Sequence, residues 1–130
     1  MNLTPLTAIS PVDGRYFESV VSLTGYFSEY GLMRYRVQVE VEYLIALSAT
    51  ISELDDFPAH KLGDIRKIYK GFTLSDAQEI KEIEKTINHD VKAVEYFIKK
   101  RFDDLKLEHF KEFIHFGLTS QDINNTAIPL

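Results

Sequence analysis

Cysteine is absent from the sequence. That excludes a disulfide framework and a thiolate metal site, and it fits a cytoplasmic protein. Glycine and proline are scarce, at six and four residues, and no low-complexity segment or internal repeat is present. Positive charge is not in excess. Lys and Arg number 15 against 20 Asp and Glu, for a net charge of −5, which excludes a broad nucleic-acid-binding surface. No apolar run reaches the roughly 18 residues that a membrane-spanning helix needs. The first residues, Met1 to Pro5, lack the basic stretch and apolar run of a secretory signal. What remains is a globular composition, 45% hydrophobic and 27% charged over 130 residues, enough for one domain with a core.

The patterning is helical. Residues 1–16 are irregular, broken by Pro5, Pro11 and Gly14, and a short helix is expected over 17–25. Residues 27–49 carry two competing signals. Val37, Val39 and Val41 alternate with Gln38, Glu40 and Glu42, which is the period of a strand. Tyr30, Met33, Val37, Val41 and Leu44 also fall on one helical stripe, with Arg36 and Glu40 at i,i+4. No second strand candidate exists to pair with this one, so the stretch is read as helix. Residues 55–58 read as a linker, and a helix is expected from about 59 to 71. A capping box at Ser75–Gln78 opens another helix, running to Asn88. A further helix carries Val91, Val94, Ile98, Phe102 and Leu105 on one face, with Asp90 as its expected N-cap and Glu95–Lys99 as an i,i+4 pair. A short helix over about 108–116 follows. The expected fold class is all-α.

Three junctions carry chemistry. At residues 10–16, Ser-Pro-Val-Asp-Gly-Arg-Tyr, an Asp-Gly turn presents Arg15 beside Tyr16. An arginine fork next to a phenol suits a phosphate or a carboxylate, and it equally serves a surface ion pair. At residues 88–90, Asn-His-Asp, one helix ends and the next begins, with His89 at the break. At residues 119–125, Thr-Ser-Gln-Asp-Ile-Asn-Asn, Thr119 and Asp122 form a helix-start box. Hydroxyls and free N–H groups there can hold an anion, or simply cap the helix. No His-Glu-x-x-His or comparable ligand spacing occurs, so neither a metal nor another cofactor is expected.

Taken together, SPVDGRY at 10–16, NHDVKAVEY at 88–96 and HFGLTSQDINN at 115–125 resemble the adenylosuccinate lyases of the fumarase and aspartase superfamily, in order and spacing. The resemblance runs from about residue 5 to the end. It implies that Arg15 and Tyr16 contact a nucleotide phosphate. It makes Asn88, His89 and Asp90 a second substrate-binding segment. Thr119 and Ser120 then hold the succinyl carboxylates, with His115, Gln121 and Asp122 supporting them from behind. The implied reaction is a β-elimination releasing fumarate from adenylosuccinate and from succinyl-aminoimidazole carboxamide ribotide. The implied assembly is a cytoplasmic homotetramer acting on small molecules, with no nucleic-acid or membrane partner.

The family's general acid, a histidine, and its general base, a serine in a mobile loop, match nothing within residues 1–130. The expectation is therefore an N-terminal fragment, inactive alone. Residues 1–118 would be its helical domain and residues 119–130 the start of a long helix of the central bundle, kinked at Pro129. Two other readings stand beside this one. Thr-Ser-Gln-Asp also suits a carboxymuconate cycloisomerase of the same superfamily, and amphipathic helices alone would suffice for a non-enzymatic interaction module.

Overall fold

The computed structural model describes residues 1–130 and is all-α, without a strand. No helix is long and apolar enough to cross a membrane. The chain divides into two compact units, residues 1–31 and 32–130.

The first unit is held by local turns. Ala8 N–H donates to the Thr4 carbonyl at 2.9 Å, and Tyr16 N–H donates to the Pro11 carbonyl at 2.9 Å. Gly14 is required at its turn. A Cβ there would stand 2.9 Å from the Pro5 carbonyl oxygen and 3.0 Å from Ala8 Cβ. The single helix expected over 17–25 is instead three one-turn pieces: α1 (Phe17–Val20), a 3-10 turn (Val21–Leu23) and α2 (Thr24–Phe27). None of their residues is buried. No packed face therefore stabilises one continuous helix against its nucleation cost.

The second unit has a core. Helix α3 (Glu29–Ser48), which belongs to this unit from Leu32 on, is continuous through the alternating valines. Met33, Val37, Val41 and Leu44 are buried, so the helical stripe prevails over the strand pattern. The expected linker at 55–58 is in part core. Phe57 is buried and meets Phe110 edge-on at 4.9 Å. A 3-10 turn (Ala59–Lys61) leads into α4 (Leu62–Lys70), capped at Gly71.

Helix α5 (Leu74–Ile87) begins one residue before Ser75, which corrects the expected box. Its N-cap is Thr73, extended and therefore free to turn its hydroxyl to Asp76 N–H at 3.3 Å, while Asp76 Oδ2 accepts from Thr73 N–H at 2.8 Å. Helix α6 (Asp90–Asp104) packs along α5 and supplies the deepest side chains, among them Phe97, Ile98 and Phe102. Phe97 meets Phe72 edge-on at 5.9 Å. Glu95 and Lys99 pair at 3.0 Å as expected. The short helix near 108–116 is a 3-10 helix (Glu108–Phe113). Helix α7 (Ser120–Ala127) buries Ile123 and Ala127. It ends before Pro129, whose missing N–H cannot continue the ladder to the Asn125 carbonyl.

Candidate functional site

In the first unit, Arg15 and Tyr16 are both exposed at the turn that Gly14 permits. The Arg15 guanidinium carbon lies 5.2 Å from the centre of the Tyr16 ring, within cation–π range. The pair presents one cationic fork backed by an aromatic face.

In the second unit, the junction at residues 88–90 is shaped by backbone demands. Asn88 ends α5 in the left-handed region, φ 52°, with its N–H on the Glu84 carbonyl at 2.7 Å. Asparagine tolerates that conformation better than most residues. His89, not Asp90, is the N-cap of α6. Its Nδ1 accepts from Lys92 N–H at 3.1 Å. A nitrogen that accepts carries no proton, so the neutral ring holds its hydrogen on Nε2 and can donate it outward. Asp90 is displaced from the cap because it has other partners. Its Oδ1 accepts from Val91 N–H at 2.9 Å and its Oδ2 meets Arg36 at 2.9 Å. Burial pushes the Asp90 carboxyl up, but the Val91 N–H and the Arg36 charge outweigh it and hold the group below its ordinary value.

The helix-start box at Thr119 forms as expected. Asp122 Oδ2 accepts from Thr119 N–H at 2.8 Å and from its hydroxyl at 3.0 Å. The Thr119 N–H, then its hydroxyl, hold the Asp122 carboxyl below its usual range. With its hydrogen committed to Asp122, the Thr119 hydroxyl has only lone pairs left to offer. The donors left at this helix start are the Ser120 hydroxyl and the N–H groups of Ser120 and Gln121, which have no acceptor within the first turn. The Gln121 amide itself donates to Asn125 Oδ1 at 2.8 Å.

One face of α3 supports both junctions, and sequence reasoning missed it. Arg36 and Glu40 do not pair with each other. Arg36, buried, reaches Asp90 through one guanidinium nitrogen and donates from Nε to Asn124 Oδ1 at 3.0 Å. Glu40 has a side chain with 0% exposure and meets His115 Nδ1 at 2.5 Å. Its other oxygen is buried without a partner. Burial raises the Glu40 carboxyl, assisted by the Glu95 charge and opposed by His115. Tyr43 donates to the Phe116 carbonyl at 2.9 Å. His115 and Gly117 both take positive φ, 63° and 72°, so this loop is held in a shape that most residues resist. The signal available in the sequence was two charged residues, Arg36 and Glu40, at the margin of a buried apolar stripe.

A groove of about 320 Å³ lies beside α3 and α7, lined in part by Val39, Tyr43, Leu118, Asp122 and Ile123. No cluster of three or more His, Asp or Glu suited to a metal is present.

A family model described as lyase matches residues 14–130. The chain belongs to the lyase family. All three junctions fall within that match except Asp13 and the residues before it. Among lyase relatives, the chain is 60% identical to an adenylosuccinate lyase of Dictyostelium discoideum and 52% identical to one of Escherichia coli K12. It is 49% identical to one of Haemophilus influenzae. Each comparison covers 100% of this chain and 29% of the relative. The chain thus spans under a third of the length of these lyases.

Proposed function

We propose that this chain is the substrate-binding N-terminal part of an adenylosuccinate lyase, which eliminates fumarate from adenylosuccinate and from succinyl-aminoimidazole carboxamide ribotide in purine nucleotide synthesis. The observation that carries the reading is identity of 60% and 52% over the whole chain to proteins of that name. The chemistry of the junctions supports it. A substrate with a phosphate and two carboxylates needs cationic and N–H donors. Arg15 and Tyr16 take the phosphate. His89 donates from Nε2. The Ser120 hydroxyl, with the N–H groups of Ser120 and Gln121 at the positive end of α7, takes a succinyl carboxylate. Asp90 and Thr119 act differently. Their polar groups are engaged with Arg36, Val91 and Asp122, so they hold the binding segments in shape, as do His115 and Asp122, while the exposed Asn88 side chain is read with His89 as substrate-binding.

The reaction removes a proton from the carbon next to a carboxylate and delivers one to the departing nitrogen. None of the residues above matches the acid or base that the resemblance implies, and both are assigned to chain beyond residue 130. Residues 1–118 are read as the N-terminal helical domain and 119–130 as the opening of a central-bundle helix. The complete protein is read as a cytoplasmic homotetramer.

The test uses the full-length protein carrying this chain. Arg15→Ala should weaken adenosine monophosphate at least about tenfold, the loss of one charge-assisted contact. Fumarate, which has no phosphate, should bind almost unchanged. Equal weakening of both ligands would remove Arg15 from the phosphate. Absence of turnover on adenylosuccinate, with turnover of a carboxymuconate, would replace the reading with a cycloisomerase.

A further inference from the structure

Arg36 lies in neither junction, yet it touches both sides of the second unit's candidate site. One guanidinium nitrogen meets Asp90 at 2.9 Å, immediately after His89. Nε meets Asn124 at 3.0 Å, one helical turn beyond Ser120. The side chain is only 10% exposed. An arginine that far from water is costly unless its donors are filled. The apolar packing of this region does not need it. Val91 and Val94 of α6 and Ile123 of α7 are already buried, and the two helices are in contact. Apolar contact, however, is non-directional, and it leaves two helix starts free to slide or rotate by fractions of an ångström. A planar fork with donors on two edges removes that freedom, which a lysine ammonium on a flexible stem cannot do.

We infer that Arg36 is a positioning residue. Its guanidinium sets the spacing between the His89 start of α6 and the Ser120 start of α7, so that both can grip one substrate. The inference rests on the function proposed above. Small misplacements of binding groups are known to cost up to about a hundredfold in rate.

The experiment measures kcat, KM and melting temperature in the full-length protein for wild type, Arg36→Lys, Asn124→Ala and the double variant, with adenylosuccinate as substrate. Arg36→Lys should lower kcat/KM at least about tenfold while the melting temperature moves by only a few degrees. Asn124→Ala should lower it several-fold. Because both changes break one bridge, the double variant should be no worse than Arg36→Lys by more than about twofold. A purely structural role would give a lower melting temperature with kcat and KM unchanged, and that result overturns the inference. So does a double variant whose losses multiply. If Arg36→Lys does not fold, Asp90→Asn and Asn124→Ala each break one arm with Arg36 in place, and unchanged kinetics in both would overturn it. Wild type without turnover would sink the proposed function and this inference together. Active wild type matched by Arg36→Lys would sink the inference alone.

Discussion

Residues 1–31 and residues 32–130 obtain their shape by different physics. Every buried apolar side chain lies between Met33 and Ala127. In the first unit Leu6, Ile9 and Phe27 are almost fully exposed, at 98%, 105% and 86%. What orders that unit is short-range hydrogen bonding, such as Thr7 hydroxyl to the Asn2 carbonyl at 2.6 Å, and the close approach that Gly14 allows. The second unit is ordered by burial, and then by a few polar contacts placed on the buried face. The contrast bears on binding. Arg15 stands on a scaffold of turns, whereas His89 and Ser120 stand on helix starts locked to a core.

Truncating a core aromatic should separate the two most sharply. Phe97→Ala removes a fully buried ring against Phe72 and should cost about 3–5 kcal/mol in urea denaturation. A loss below about 1 kcal/mol would mean that the second unit is not held by this core.

Glu40 should give a smaller effect, with a pH signature. Burial raises its carboxyl above the ordinary 4.5, with His115 and Glu95 facing it. The folded state therefore binds this proton more tightly than the unfolded chain does. The resulting stability is fully present below the unfolded value and is lost as pH rises through the raised one. Glu40→Gln does not titrate. It should cost about 1–3 kcal/mol at low pH, and the gap to wild type should close as pH rises. Urea midpoints across pH 4 to 8 read it, and a gap that widened with pH would show that His115 fully stabilises the charged carboxylate.

Phe27→Ala should do least, within about 0.5 kcal/mol, because an exposed side chain has little packing to lose. A loss comparable to that of Phe97→Ala would erase the distinction between the units.

The parts of the fold that depend on neighbours in sequence were legible. Thr119 and Asp122 are three apart and formed their box; Asn88 marked the end of α5. The stripe through Met33, Val37, Val41 and Leu44 was legible once the lack of a partner strand was weighed. The first unit's helix was not, because residues 17–25 have no packed face to make one helix of three turns. The supports of the candidate site were also hidden, for a different reason. Arg36 and Asn124 are 88 residues apart, and Glu40 and His115 are 75 apart. Local rules pair Arg36 with Glu40 on an exposed helix face. On a buried face, each instead turns to whichever polar group the tertiary fold brings opposite it. His115 in the left-handed region leaves no mark in a sequence either, and the contacts beside it, Glu40 on its ring and Tyr43 on the Phe116 carbonyl, are again between residues far apart in the chain.

The division of labour, with binding groups inside residues 1–130 and proton-transfer groups outside, has one direct test. Purified 1–130 and the full-length protein are assayed side by side on adenylosuccinate by the absorbance change as fumarate leaves. The full-length protein should turn over. The 1–130 chain should fall at least about 10²–10⁴-fold below it, as expected when an acid–base pair is missing. Turnover by 1–130 within about tenfold of the full-length protein would place the acid and base among its own residues and contradict the assignment.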